Sequence, residues 1–198
     1  MLATNCRIIT LSILFLGIVS VSTVKSQETF TGTIVSYGSG LNTRVSTGSF
    51  TLRINRFTDD ERAQRLLGLL QAGADEQLVN ELDKGDVGTF SINGRIGPHI
   101  GVARESRVNG KRRIFCVFRR WMRFGEIRGG YRSTDYPYSV IEIYVDPSSG
   151  KGDGTFIAAA KIRWQPDKRS GQNQVEIEDF STFPARLMGV TERGGRGR

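Results

Sequence analysis

The sequence predicts a mainly β (α+β) domain: an antiparallel sheet forming a small barrel or sandwich, with one helical hairpin inserted at about 58–84. Three observations carry that expectation. Glycine supplies 24 of 198 residues against 5 prolines, a turn-rich composition without the Gly-X-Y period of collagen. Several apolar runs alternate with period two, as half-buried strands do. Two Asn-Gly pairs, Asn93-Gly94 and Asn109-Gly110, mark type I′ hairpins, whose turn residues both need positive φ.

The chain starts with a targeting pattern. Arg7 precedes an uncharged, mostly apolar run from Ile8 to Val21, the length of a signal-peptide core and too short to cross a membrane comfortably. Val24-Lys25-Ser26 offers tolerated residues for processing, so cleavage is expected after Ser26 and the protein is expected to be secreted or periplasmic. Loss of residues 1–26 removes Arg7, Lys25 and Cys6, leaving no membrane span and Cys116 as the only cysteine. No intramolecular disulfide is then possible, and stability must come from the core.

Strands are expected at Thr29–Tyr37 and Ser49–Phe57, the second placing Phe50, Leu52 and Ile54 on one face. Ile100–Val108 should pair with Lys111–Phe118 across the second Asn-Gly turn. Ile114-Phe115-Cys116-Val117-Phe118 is apolar on both faces, which marks a central, covered strand and makes Cys116 a buried small hydrophobe rather than a nucleophile. Further strands are expected at Tyr138–Val145, Thr155–Trp164, Gln174–Phe180 and Ala185–Val190, before a flexible Gly/Arg tail at 191–198.

The insert breaks this rhythm. Thr58-Asp59-Asp60-Glu61 reads as a capping box, with the Thr58 hydroxyl and the Glu61 carboxylate satisfying orphan amides at a helix start. Ala63, Leu66, Leu67 and Leu70 then recur at helical spacing. Gly73 fits a stop, and Asp75–Asp83 forms a second short helix closed by Gly85, with Leu78, Val79 and Leu82 as its buried side. The pair should pack over one face or one open end of the sheet.

Charge is uneven. From Arg104 to Arg132 ten basic residues face Glu105 and Glu126, whereas Arg56 to Asp86 holds four basic and eight acidic residues. Within the basic part, Arg113, Arg119, Arg120, Trp121 and Arg123 are the candidate binding residues. If the strand continues past Phe118, Arg119, Trp121 and Arg123 share a face that could grip anionic groups by paired hydrogen bonds and stack a ring on Trp121. The alternative is a solvated strand whose arginines pair with the acidic helices. A secreted address favours an anionic envelope or extracellular polymer over nucleic acid.

Catalytic patterns are sparse. His99 lies in a turn entering a strand, with no partner marked by spacing. The chain has no Gly-x-Ser-x-Gly elbow and no Walker loop, and no cofactor is expected. Asp146 to Gly154 resembles a calcium loop superficially, but its register fails and Lys151 sits among the would-be ligands, so a polar hairpin is expected. Carboxylates at Asp135 and Glu142, or Glu176 and Glu178, leave a secreted hydrolase as the alternative function.

The segments Ile54–Glu61, Asp135–Glu142, Gly152-Asp153-Gly154-Thr155 with Ala159-Ala160-Lys161-Ile162, and Glu178-Asp179-Phe180 with Pro184-Ala185-Arg186-Leu187 resemble an uncharacterised family of secreted bacterial proteins. The resemblance covers most of the mature chain. It implies a bacterial exported protein and carries no assigned activity. The Arg-Arg-Trp-Met-Arg-Phe strip is not part of the shared pattern.

Overall fold

Among the described residues, strand formers separated by turn residues give ten strands with two helices after the second: β1 Glu28–Ser36, β2 Ser46–Ile54, α1 Asp60–Gln71, α2 Asp75–Asp83, β3 Gly88–Ile92, β4 Arg95–Ile100, β5 Val102–Val108, β6 Lys111–Arg119, β7 Tyr138–Val145, β8 Lys151–Pro166, β9 Asn173–Asp179 and β10 Ala185–Arg193. The computed structural model describes residues 27–37, 45–121, 136–166, 173–179 and 184–193. The predicted signal segment lies outside them. Both Asn-Gly turns have positive φ at both residues, 51° and 76° at Asn93 and Gly94, 51° and 77° at Asn109 and Gly110, which is the type I′ signature.

The strands form one antiparallel sheet in the order β4-β3-β2-β1-β10-β8-β7-β6-β5, with β9 paired to the far half of β8. The two edge strands of that path, β4 and β5, are consecutive in the chain and meet at Gly101. The sheet therefore rolls until its edges become two halves of one bent strand, without closing into a barrel. At the bend, Val87 N–H donates to the Ile100 carbonyl at 3.0 Å and Gly101 N–H to the Val117 carbonyl at 3.1 Å. A Cβ on Gly101 would lie 2.5 Å from the Leu82 carbonyl oxygen, so the close approach of the α2 end requires glycine there.

Alternation gives the sheet two apolar faces. Phe30, Phe50, Leu52, Phe90, Ile114, Cys116, Phe118, Ile141, Ile143, Phe156 and Leu187 point into the roll. Rings meet at its centre, Phe90 lying 5.1 Å from Phe156 and 6.0 Å from Phe50 between centroids. Each such side chain contributes roughly 1.5–3 kcal/mol by leaving water. On the outer face, Val117, Tyr138, Val140, Ala160 and Ile162 pack beneath Leu66, Leu78 and Leu82 of the helices. β6 is thus covered on both sides, as its unbroken apolar run predicts, and Cys116 is fully buried.

Some expected boundaries move. The N-cap of α1 is Asp59, whose Oδ1 accepts from Arg62 N–H at 2.7 Å. The Thr58 hydroxyl is turned inward and accepts from Ala103 N–H at 3.0 Å, while Thr58 N–H donates to the Ala103 carbonyl. Thr58 therefore occupies the free edge of β5 instead of capping the helix. β8 begins four residues before Thr155, and β10 continues to Arg193, into the stretch read from sequence as tail. Residues 194–198 lie outside the described residues.

Candidate binding face

Period-two geometry divides the basic run of β6 between opposite faces. Ile114, Cys116 and Phe118 point inward, so Arg112 does too. It donates to Glu28 at 2.5 Å, Glu105 at 2.9 Å and Glu192 at 3.1 Å, with Phe30 and Phe57 each 6.0 Å from its guanidinium carbon. Burial alone would lower its pKa, but the hydrogen bonds it donates to Glu105 and Glu28, with their negative charges, outweigh that and raise it. This arginine is structural.

Arg113 points outward, 2.6 Å from Glu142 and over the Phe115 ring at 5.1 Å. Arg104, also in the basic run, reaches Asp60 at 2.7 Å and donates to the Thr58 carbonyl. Arg119 is the last residue of β6 and pairs with Asp83 of α2 at 2.6 Å. The strand does not continue to carry Trp121 on the same side. Arg120 N–H donates to the Pro137 carbonyl and Trp121 N–H to the Ser139 hydroxyl. The indole packs on the inner core, 6.4 Å from Phe90 and edge-on. It also lies against Gly97, where a Cβ would approach it to 2.7 Å. Arg119 and Trp121 thus serve different layers, correcting the expectation of a shared face. Arg123 and Asp135 lie outside the described residues.

The other chemical candidates are engaged locally. Oε1 of Glu142 accepts from both Arg113 and the Tyr144 hydroxyl, the latter at 3.0 Å. Glu178 accepts from the Tyr136 hydroxyl at 2.6 Å and pairs with Arg163 at 2.7 Å, while Glu176 is exposed. His99 Nδ1 lies 3.1 Å from Asp86 on the open surface. Asp146 folds its own turn, accepting from Ser148 N–H, the Ser148 hydroxyl and Ser149 N–H; these bonds hold its carboxyl below the usual range. Among the described residues no group of three His, Cys, Asp or Glu is placed to hold a metal ion. No described helix is long and apolar enough to cross a membrane.

Two hollows remain. One, of about 410 Å³, lies at Phe57, Thr58 and Arg104–Arg107, where Arg104 is already committed to Asp60. The other, about 560 Å³, opens on the outer sheet face where the β5–β6 hairpin tip overlooks β7, β8 and β10. Asn109, Lys111, Tyr144, Asp153, Thr155 and Arg186 are its polar lining, with Val108 and Met188 exposed beside them. Cross-strand register sets this group together: Tyr144 stands opposite Asp153, and Thr155 is opposite Glu142 on one side and Arg186 on the other. Lys111 and Arg186 are exposed, and among the described residues neither forms an ion pair. The Tyr144 hydroxyl bonds to a residue two positions back on its own strand, so the ring leans along the sheet.

Sequence reasoning reached Lys111 only as one member of the basic run, met Asp153 only in the calcium-like loop and the family resemblance and Arg186 only in that resemblance, and gave Tyr144 no role beyond its strand. The outward parity of Tyr144 is readable from the alternation of β7. The pairing of β8 with β10, which brings Arg186 to the same face, has no local signal. No protein-family model, curated protein or solved structure matches the chain.

Proposed function

We propose that this is an exported bacterial binding domain, non-catalytic, whose outer sheet face holds an anionic polymer of the envelope or extracellular space. The single observation that carries the reading is the groove with Lys111 and Arg186 at its margins. Two exposed cations, neither in an ion pair among the described residues although Lys111 acts on Asp146 through Coulombic attraction, stand beside a tilted tyrosine; they attract a polyanion by long-range Coulomb forces and then contact it by charge-assisted hydrogen bonds. This places the anion contacts on Lys111 and Arg186 instead of on Arg119 and Trp121, which are used by the helix pair and the inner core. Export rests on the apolar run Ile8–Val21 ahead of Ser26 and on the resemblance to secreted proteins. The hydrolase alternative draws no support from Glu142, whose Oε1 is held by Arg113 and Tyr144.

The test is retention on a dextran sulfate resin across a salt series, with a Lys111→Gln, Arg186→Gln double variant beside the wild type. The wild type should bind at low salt and elute as ionic strength approaches about 0.15 M, where the screening length is about 8 Å. The double variant should elute earlier with unchanged circular dichroism. Equal retention of both proteins removes the groove from the function. Intact mass of the protein recovered from cells should place its first residue near Gln27, and a retained Met1 would contradict export.

A further inference from the structure

We infer that the groove takes an acidic glycan in which carboxylate-bearing sugars are separated by neutral ones, not a densely charged phosphate polymer. The inference rests on the anionic-polymer reading above and deepens it by the order of charges along the groove. Lys111 belongs to β6 and Arg186 to β10, with β7 and β8 between them. Three strand spacings separate the two strands, about 14 Å of sheet, and Lys111 lies four residues along β6 from Phe115, which is level with Arg186. Between the cations no unpaired basic group lines the groove among the described residues, the Arg113 guanidinium beside Tyr144 being answered by Glu142. That space holds Tyr144 from β7, then Asp153 and Thr155 from β8.

Asp153 decides the class of ligand. Its Oδ1 accepts from Gly189 N–H at 3.2 Å, at the β10 bulge, so the carboxylate is anchored in the groove wall while the side chain stays exposed. A nucleic-acid strand carries a phosphate every ~3.4 Å of helix axis. Any polyanion of such density spanning the cations must set anions against Asp153, at a cost of like-charge repulsion. A glycan with carboxylates only at intervals avoids this. Its neutral sugar places hydroxyl donors where the Asp153 carboxylate accepts, and the Thr155 hydroxyl adds a donor and acceptor. Tyr144 offers an aromatic face to the apolar side of a sugar ring, in an orientation fixed by its bond to Glu142. Burial and that hydrogen bond raise the phenol pKa, so the ring carries a neutral hydroxyl.

The experiment titrates wild type and Asp153→Asn with three probes at low salt, about 0.01 M, where the screening length is about 30 Å: hyaluronan, which alternates glucuronate with a neutral amino sugar, inorganic polyphosphate, and neutral dextran. Asparagine keeps an oxygen for Gly189 N–H, so the bulge and the fold are retained, which unchanged circular dichroism verifies. Wild type should bind hyaluronan roughly tenfold tighter than polyphosphate. In Asp153→Asn the two ligands should move in opposite directions, hyaluronan weakening several-fold and polyphosphate tightening. Polyphosphate binding as tightly as hyaluronan, or an affinity ratio unmoved by the substitution, overturns the glycan inference and leaves the anionic-polymer reading standing. Failure of both polyanions to bind, or dextran binding as well as hyaluronan, overturns that reading too.

Discussion

The Arg112 guanidinium donates to the Glu28 carboxylate at 2.5 Å inside the roll, joining strands that lie far apart both in sequence and in the sheet order. Glu105 from β5 and Glu192 from β10 converge on the same guanidinium. Hydrogen bonding along the sheet cannot hold β1 against β6, because β10, β8 and β7 intervene. A side chain crossing the interior can. Arg112 is therefore a tie across an end of an unclosed roll, where a closed barrel would have a hydrogen-bonded ladder instead.

Arg112→Ala should be among the more damaging single changes in the domain. It leaves the buried Glu28 carboxylate without its principal cation, and breaking a buried pair from one side costs on the order of 3–5 kcal/mol. Glu192→Gln should cost less than about 1 kcal/mol, because that carboxylate is partly exposed and the amide oxygen can still accept from Arg112. Urea unfolding of both variants measures the contrast. A smaller loss for Arg112→Ala than for Glu192→Gln would show that the interior tie does not hold the roll.

Cys116 gives the pH dependence. Burial pushes its thiol from an ordinary value of 9.0 up to about 12. The unfolded chain ionises this thiol above about pH 9 while the folded protein keeps it neutral, so the unfolded state gains stability as pH rises from about 9 towards 12. The wild type should lose stability over that interval more steeply than Cys116→Ala, whose other buried groups titrate as before. Native Cys116 should also resist a thiol reagent at neutral pH and react once urea opens the core. Equal alkaline slopes, or rapid labelling of the native protein, would contradict burial of β6.

Much of this architecture was legible because its signals are local. Asn93-Gly94 and Asn109-Gly110 specify their turns through backbone conformation alone, and Leu66, Leu78 and Leu82 reveal the buried helix face by spacing. The apolar run Ile114–Phe118 announces a strand covered on both sides. Decisions made by tertiary partners were not legible. Thr58 has every local feature of a helix cap, yet its hydroxyl goes to Ala103, 45 residues away, and Asp59 takes the cap. Trp121 continues the parity of Arg119 only if the strand continues; the Pro137 and Ser139 contacts end it, and the indole turns to Phe90. The candidate groove failed to emerge for the same reason. Tyr144, Asp153 and Arg186 come from three strands, and nothing in any one of them states which neighbour it will have.

The ion pair between Arg119 and Asp83 separates the two surfaces that the basic run could have formed. Both side chains are partly exposed, 57% and 37%, and their contact fastens the end of β6 to the end of α2. Exposed pairs of this kind contribute about 0–1 kcal/mol and are screened by salt. Arg119→Gln should accordingly lower stability by less than about 1 kcal/mol, with the difference shrinking as salt rises. Its retention on a polyanion resin should match the wild type, because the Arg119 charge is already answered by Asp83 and lies outside the Lys111–Arg186 groove. Reading stability by urea unfolding and retention on the same preparation keeps the two effects apart. If folded Arg119→Gln loses retention while Lys111→Gln, Arg186→Gln keeps it, the end of β6 is the anion-binding surface and the groove is not.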